Sequence, residues 1–171
     1  MSALAELASL LRAEGGLVGA VVVTPPTGEP DDDVTPAAIV VDGPRTRSRA
    51  DAYALVVETV YEGYLLHYGE ARIVQTDDAD LALLAGDQLY ALGLARLVAL
   101  SDLDGVRELA DVISLTAVAQ ANGDPALAAD VWIAGARAIA RGPDPAYERA
   151  KDLMRRAEPD ASAALRTVAA A

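Results

Sequence analysis

The residues best able to do chemistry in this chain are its carboxylates, and their spacing decides which chemistry is open to them. Magnesium held through bridging phosphates needs acids projecting together from a rigid element, commonly at i and i+4 of a helix. Asp31-Asp32-Asp33 is consecutive and sits among prolines, and Asp77, Asp78 and Asp80 crowd a helix start, where capping accounts for them. Asp144, Glu148 and Asp152 do form an i, i+4 ladder, but Arg149, Arg155 and Arg156 beside them give the pattern of a charged surface face. No metal site is expected. His67 is the only histidine and cysteine is absent, so histidine pairs or triads, multi-His metal sites, thiolate metal sites and disulfides are excluded. There is no Gly-rich phosphate loop, nucleophile elbow or dinucleotide fingerprint. No cofactor is expected either.

Asp87 stands apart from these groupings. At about 100° per residue it shares a helix face with Leu83, Leu84, Ala91 and Leu94, while Ala85, Leu89 and Leu92 lie opposite. A helix apolar nearly all round is expected to be central and buried, and a carboxylate there must be hydrogen-bonded or paired. Asp87 is therefore either a ligand-contacting group or a tie to a neighbouring helix. Glu58 and Tyr90 are the polar groups that would share a pocket with it. His67 falls near a helix C-terminus, where its charged form suits the dipole. Tyr53, Tyr61, Tyr64 and Tyr68 recur at helical spacings, a stripe whose composition suits a core or an interface, and Trp132 reads the same way.

The elements that must position these residues are helices. Residues 2–13 form an amphipathic helix stopped by Gly15-Gly16. The run LVGAVVV that follows fits helix or strand equally well. Residues 25–44 hold five prolines and read as a loop with a short buried piece at 37–41. Ser48 with Asp51 resembles a capping box that starts a helix to Tyr68, with Gly69 as a left-handed stop. Thr76-Asp77-Asp78 opens a helix to about Leu100, and Ser101 with Asp104 caps the next, to about Asn122. That third helix should bury Leu103, Val106, Leu109, Ile113 and Ala117, leaving Arg107, Glu108 and Asp111 in water. Asp124-Pro125 and Asp144-Pro145 each pair an N-cap with proline at the first helical position, opening helices to Arg141 and to about Ala157. A short Ala-rich helix follows Pro159. The connections are short, so neighbouring helices run antiparallel. The expectation is one all-α domain: an N-terminal helix and Pro/Asp-rich loop over 1–47, then an antiparallel bundle over 48–171, with five or six helices in all.

Composition agrees. The chain has 171 residues, 53% of them hydrophobic, but 4% aromatic and no Phe. Its core must be built from Leu, Val, Ile and Ala, a composition that favours closely packed helices. The net charge of −12 repels phosphate backbones and anionic lipid, so nucleic-acid binding is not expected. Most of that charge precedes residue 133, and residues 133–171 are slightly basic. Glu6, Arg12 and Glu14 interrupt the first helix, which lacks the apolar region of a signal peptide. No run of 18 apolar residues occurs, so no transmembrane helix is expected. Cytoplasmic localisation follows as the expectation.

One resemblance gives a specific functional expectation. LALLAGDQLYALGLARL (81–97) resembles the AVLAGD-L-LA-A helix of trans-type polyprenyl diphosphate synthases, with Gly86-Asp87 in place. ELADVISLTAVAQANGD (108–124) resembles the helix that follows it in that family, and VETVYEGYLLHYGEAR (57–72) the segment leading into the first aspartate-rich motif. Where the family carries that motif, directly after the histidine, this chain has Tyr68-Gly69-Glu70-Ala71-Arg72. The family's diphosphate-binding arginines are reduced to Arg72. The resemblance therefore implies a relative with no catalysis of its own. It resembles the small subunit of a two-component synthase, which pairs with a catalytic subunit. The alternative is a helical scaffold or interaction protein unconnected with isoprenoids. Either reading implies a homodimer or a heteromer, with the tyrosine stripe and the helix over 79–100 as the candidate interface.

Overall fold

The computed structural model describes residues 2–25 and 35–171, and the Asp31-Asp32-Asp33 run lies outside them. The described residues form an all-α bundle. Its helices are α1 (Ala3–Glu14), α2 (Gly16–Ala20), α3 (Pro36–Val41), α4 (Ala50–Tyr68), α5 (Ala79–Ala99), α6 (Leu103–Ala121), α7 (Pro125–Arg141), α8 (Pro145–Arg155) and α9 (Ala161–Ala170). No strand occurs among these residues. A single antiparallel bridge joins Val22 to Val74, flanked by hydrogen bonds from Val23 N to Ile73 O and from Gln75 N to Val21 O.

Local chemistry sets most helix ends. The Asp78, Asp124 and Asp144 side chains each accept from backbone N–H groups in the first turn of α5, α7 and α8. Gly123 and Gly142, at φ of +70° and +96°, turn the chain after α6 and α7. Three ends depart from expectation. Ser48 does not cap α4: the helix grows out of a 3-10 turn, Arg47–Arg49, with Arg49 at the cap position and no side-chain acceptor. Gly69 ends α4 in extended backbone, at φ −148°, not in the left-handed region. Ser101 itself takes a positive φ of 58°, which hands the cap of α6 to Asp102, whose carboxylate accepts from Gly105 N at 2.9 Å.

The central helix is α4, not α5. Eleven of the 19 residues of α4 are buried, against five of the 21 in α5. α4 packs on α1, α3 and α5, and α3 also reaches α7, so residues before 48 help cover the bundle core. One core layer runs through α4, α6, α7, α8 and α9, around Val57, Val60, Leu109, Val112, Leu115, Trp132 and Leu165. A second lies between α1, α4 and α5, around Leu7, Leu11, Leu55, Ile73 and Leu89. Helix α6 turns a different face inward from the one expected. Leu103 is 70% exposed, whereas Glu108 is fully buried. The reason is Lys151 on α8, itself buried, which donates to Glu108 at 2.8 Å and to Asp111 at 2.9 Å. A buried acid is tolerated where a buried base meets it.

Candidate functional site

The candidate residues gather at the C-terminal half of α4. Glu58 and Glu62 are one helical turn apart and share a face. After α4 the chain doubles back, and Arg72 returns beneath them. Arg72 donates from Nη2 to Glu58 at 2.6 Å and from Nε to Glu62 at 3.1 Å. The other Glu62 oxygen accepts the backbone N–H groups of Ile73 and Val74, at 2.7 and 3.3 Å. Glu62 is fully buried, and it accepts three hydrogen bonds across its two oxygens. The Arg72 guanidinium also lies 5.1 Å above the Tyr61 ring, within cation–π reach. Burial acts to lower the Arg72 pKa, but Glu58 and Glu62 outweigh it and hold the group above its ordinary value. Arg72 is thus a fixed internal cation that ties the return loop to α4.

Around this tie lies most of the chain's aromatic surface. The Tyr61 ring stacks at 5.8 Å on Tyr64 and meets Trp132 of α7 edge-on at 5.0 Å, and Tyr64 lies 5.7 Å from Trp132. Tyr64 continues to Tyr68 at 5.5 Å, and its hydroxyl accepts from Gln120 of α6 at 2.7 Å. Burial pushes the Tyr61, Tyr64 and Tyr90 hydroxyls above the usual phenol range. Only part of the tyrosine stripe can then be a surface. Tyr53 and Tyr64 are buried within the chain, Tyr61 is half-buried, and Tyr68 is exposed. Tyr53 instead donates to Asp102 at 2.7 Å, joining Arg45 in a clasp between α4 and the start of α6.

Asp87 is a correction. It was expected to be buried, and its side chain is 75% exposed. The face it shares with Leu84 and Ala91 is the outer face of α5, because α5 lies at the edge of the bundle. His67 reaches across from α4, its Nε2 3.3 Å from Asp87 Oδ1, and its ring stacks on Tyr90 at 5.2 Å. The structure divides the candidates into two groups: Glu58 pairs with Arg72, while His67 meets Tyr90 and Asp87 between α4 and α5. Sequence reasoning passed over Glu62, the best-connected acid of the group. Its spacing of four from Glu58 was the available signal.

Two chemical properties of this neighbourhood stand out. Among the described residues no three His, Asp or Glu side chains converge as a metal ion would require. The outer face of α5, by contrast, presents Leu84, Gln88, Ala91, Ala95 and Val98 to solvent, flanked by Asp80 and Asp87, with Leu84 56% and Val98 55% exposed. By length and composition α5 is also apolar enough to cross a membrane, but its inner side packs on α4 and α6, and Asp80, Asp87 and Arg96 interrupt it. Comparison with family models, curated proteins and solved structures found no match to this chain.

Proposed function

We propose that this chain is a non-catalytic helical subunit that binds a partner protein through the outer face of α5. The observation that carries the reading is the exposed apolar stripe itself. Apolar side chains standing together on one helix face mark an interaction surface when rimmed by polar groups, as Asp80 and Asp87 rim this one. Those two acids, on a chain of net charge −12, suit a partner helix whose own apolar stripe is flanked by Lys or Arg. A second copy brings the same acids, so a heteromer is favoured over a homodimer.

The narrower form of this reading is an accessory subunit of a two-component polyprenyl diphosphate synthase. Its support is the resemblance over residues 55–124, together with the state of Arg72. Arg72 already spends its Nε and Nη2 on Glu62 and Glu58, the pairing a diphosphate would have to displace. The purified chain is expected not to condense isopentenyl diphosphate with an allylic diphosphate. Mixed with a full-length polyprenyl diphosphate synthase, it is expected to form a complex measurable by light scattering, which Leu84→Glu and Val98→Glu each disrupt. Magnesium-dependent product from the lone chain would sink the non-catalytic reading. A complex indifferent to both substitutions would sink the α5 interface. Binding to a protein outside isoprenoid synthesis, with the synthase ignored, would leave a general interaction subunit and remove the narrower form.

A further inference from the structure

The apolar stripe that the spacing of α6 marks for burial is only partly covered by the chain itself. Leu109 is buried, but Val106, Ala110, Ile113 and Ala117 are half-buried and Leu103 is exposed. The contacts of α6 fix where that stripe lies. Asp111 reaches α8, Val112 packs against Gly135 of α7, and Gln120 reaches Tyr64 of α4. The stripe shares the Gln120 flank, away from α8 and next to α5. On α5, Gly86 and Gly93 face α4, and Ala85 and Leu89 join the core layer of Leu7 and Leu55. That leaves Leu83, Asp87, Leu94 and Val98 on the α6 side, with Leu83 49% exposed. The last turns of α4 lie beneath both helices. His67 stacks on Tyr90 of α5, Tyr64 bonds to Gln120 of α6, and Tyr68, against both the His67 and Tyr64 rings, is 44% exposed. The three elements make an apolar groove with α5 and α6 as walls and the end of α4 as floor. Its charge is one-sided: Asp80 and Asp87 stand together on the α5 rim, and the α6 stripe is uncharged.

We propose that this groove receives one amphipathic helix of the partner protein, with Lys or Arg along only the edge that meets Asp80 and Asp87. The inference rests on the reading of α5 as an interface, and it moves the occupant from the crest of α5 into the seam with α6. Two neighbouring helices present ridges that a third helix can pack between, its anchors recurring at i, i+3, i+4 and i+7. α5 runs for 21 residues, about 30 Å at 1.5 Å each, so an occupant of about 18 residues fills the groove. The acids on one rim select the partner's charge and its orientation across the groove. A helix with bases on both edges gains nothing from the second row, and one with acids facing the α5 rim is repelled.

Fluorescence anisotropy of the full chain with three labelled synthetic peptides of that length tests this. The first carries a Leu stripe at helical spacing with Lys on one edge, the second has the same composition scrambled so that no stripe forms, and the third has Glu in place of Lys. The first is expected to bind, and the other two at least about tenfold more weakly. Val98→Arg on α5 and Ala117→Arg on α6 are each expected to weaken the first peptide at least about tenfold. Val118→Arg adds the same charge on the flank of α6 beside Met154 of α8 and is expected to leave binding unchanged. Thermal unfolding checks that each variant folds. Should Ala117→Arg fail to fold, Leu103→Arg, at a position 70% exposed, takes its place. Loss of binding with Val98→Arg but not with a folded α6 variant would overturn the groove and leave α5 alone as the interface. No binding of the first peptide at about 0.1 mM, or binding indifferent to Val98→Arg as well, would overturn the groove and the α5 reading together. A scrambled peptide that binds as tightly as the first would show charge attraction without a groove and overturn the proposal.

Discussion

Glu62 and Lys151 hold the two most enclosed polar clusters, and each serves several partners at once. Glu62→Leu would leave Arg72 with Glu58 alone and strip the Ile73 and Val74 amides of their acceptor. Removing one member of a buried, hydrogen-bonded pair costs about 3–5 kcal/mol, and urea denaturation should read a loss of that order. A loss under about 1 kcal/mol would mean the return loop is held by something else. The acids also set the response to pH. Burial acts to raise the Asp102 carboxyl, but the Gly105 amide, the Tyr53 hydroxyl and Arg45 outweigh it and hold the group below its ordinary 3.8. Burial likewise opposes, and Lys151 and Arg155 outweigh it, at Asp111. A carboxyl depressed by folding supplies stability that is present above the unfolded value and lost as pH falls through the folded one. Unfolding free energy should therefore drop as pH falls below about 4, and Asp102→Asn should make that acid limb shallower. Denaturation midpoints taken through the acid range would show both.

Between elements, the most extensive contact is that of α4 with α5, and small residues make it possible. A Cβ added at Gly63 would lie 3.0 Å from the Gly86 carbonyl oxygen, and one added at Gly93 would overlap a methyl of Val60, a fully buried neighbour. Alanine is the better helix former by about 1 kcal/mol, so on propensity alone Gly93→Ala should stabilise. Overpacking costs about 1–3 kcal/mol and works against it, because a β-branched valine in a filled core has no free rotamer to take. The expected net result is a lower melting temperature. Gly123→Ala, in open space after α6 but at φ +70°, makes a useful contrast: any loss there comes from backbone strain rather than packing. A Gly93→Ala variant that melts higher than the parent would show that α5 can move away from α4, and that the edge helix is less firmly held than its packing indicates.

For the molecule as a whole, charge distinguishes the proposed heteromer from a homodimer. Two copies at −12 repel, and more salt would relieve that repulsion. A partner with a basic rim is drawn in, and more salt would slow that encounter. Association measured across about 0.01 to 0.15 M salt should therefore slow as salt rises for the proposed heteromer. An association that strengthens with salt would instead identify a second copy as the occupant of the α5 face.

The helices and many of their ends were legible in the sequence because they rest on local chemistry. Asp124-Pro125 and Asp144-Pro145 act within a single turn, and Gly123 and Gly142 need only their own backbone. All-α architecture followed from the same signals. Burial was not legible, and the reason is physical. Helices α4 and α5 are both apolar around much of their circumference, so neither carries a pattern that says which face, or which helix, goes inside. Only packing decided it: α1 and α3 cover α4, while α5 is left at the edge with Asp87 in solvent. The charged residues were misread for a related reason. Glu108 looks like a surface acid until Lys151, 43 positions later, is folded against it, and Glu62 becomes a hub only when the loop at 69–76 returns to it. Partners far apart in sequence are what make a buried charge tolerable, and tertiary structure alone brings them together.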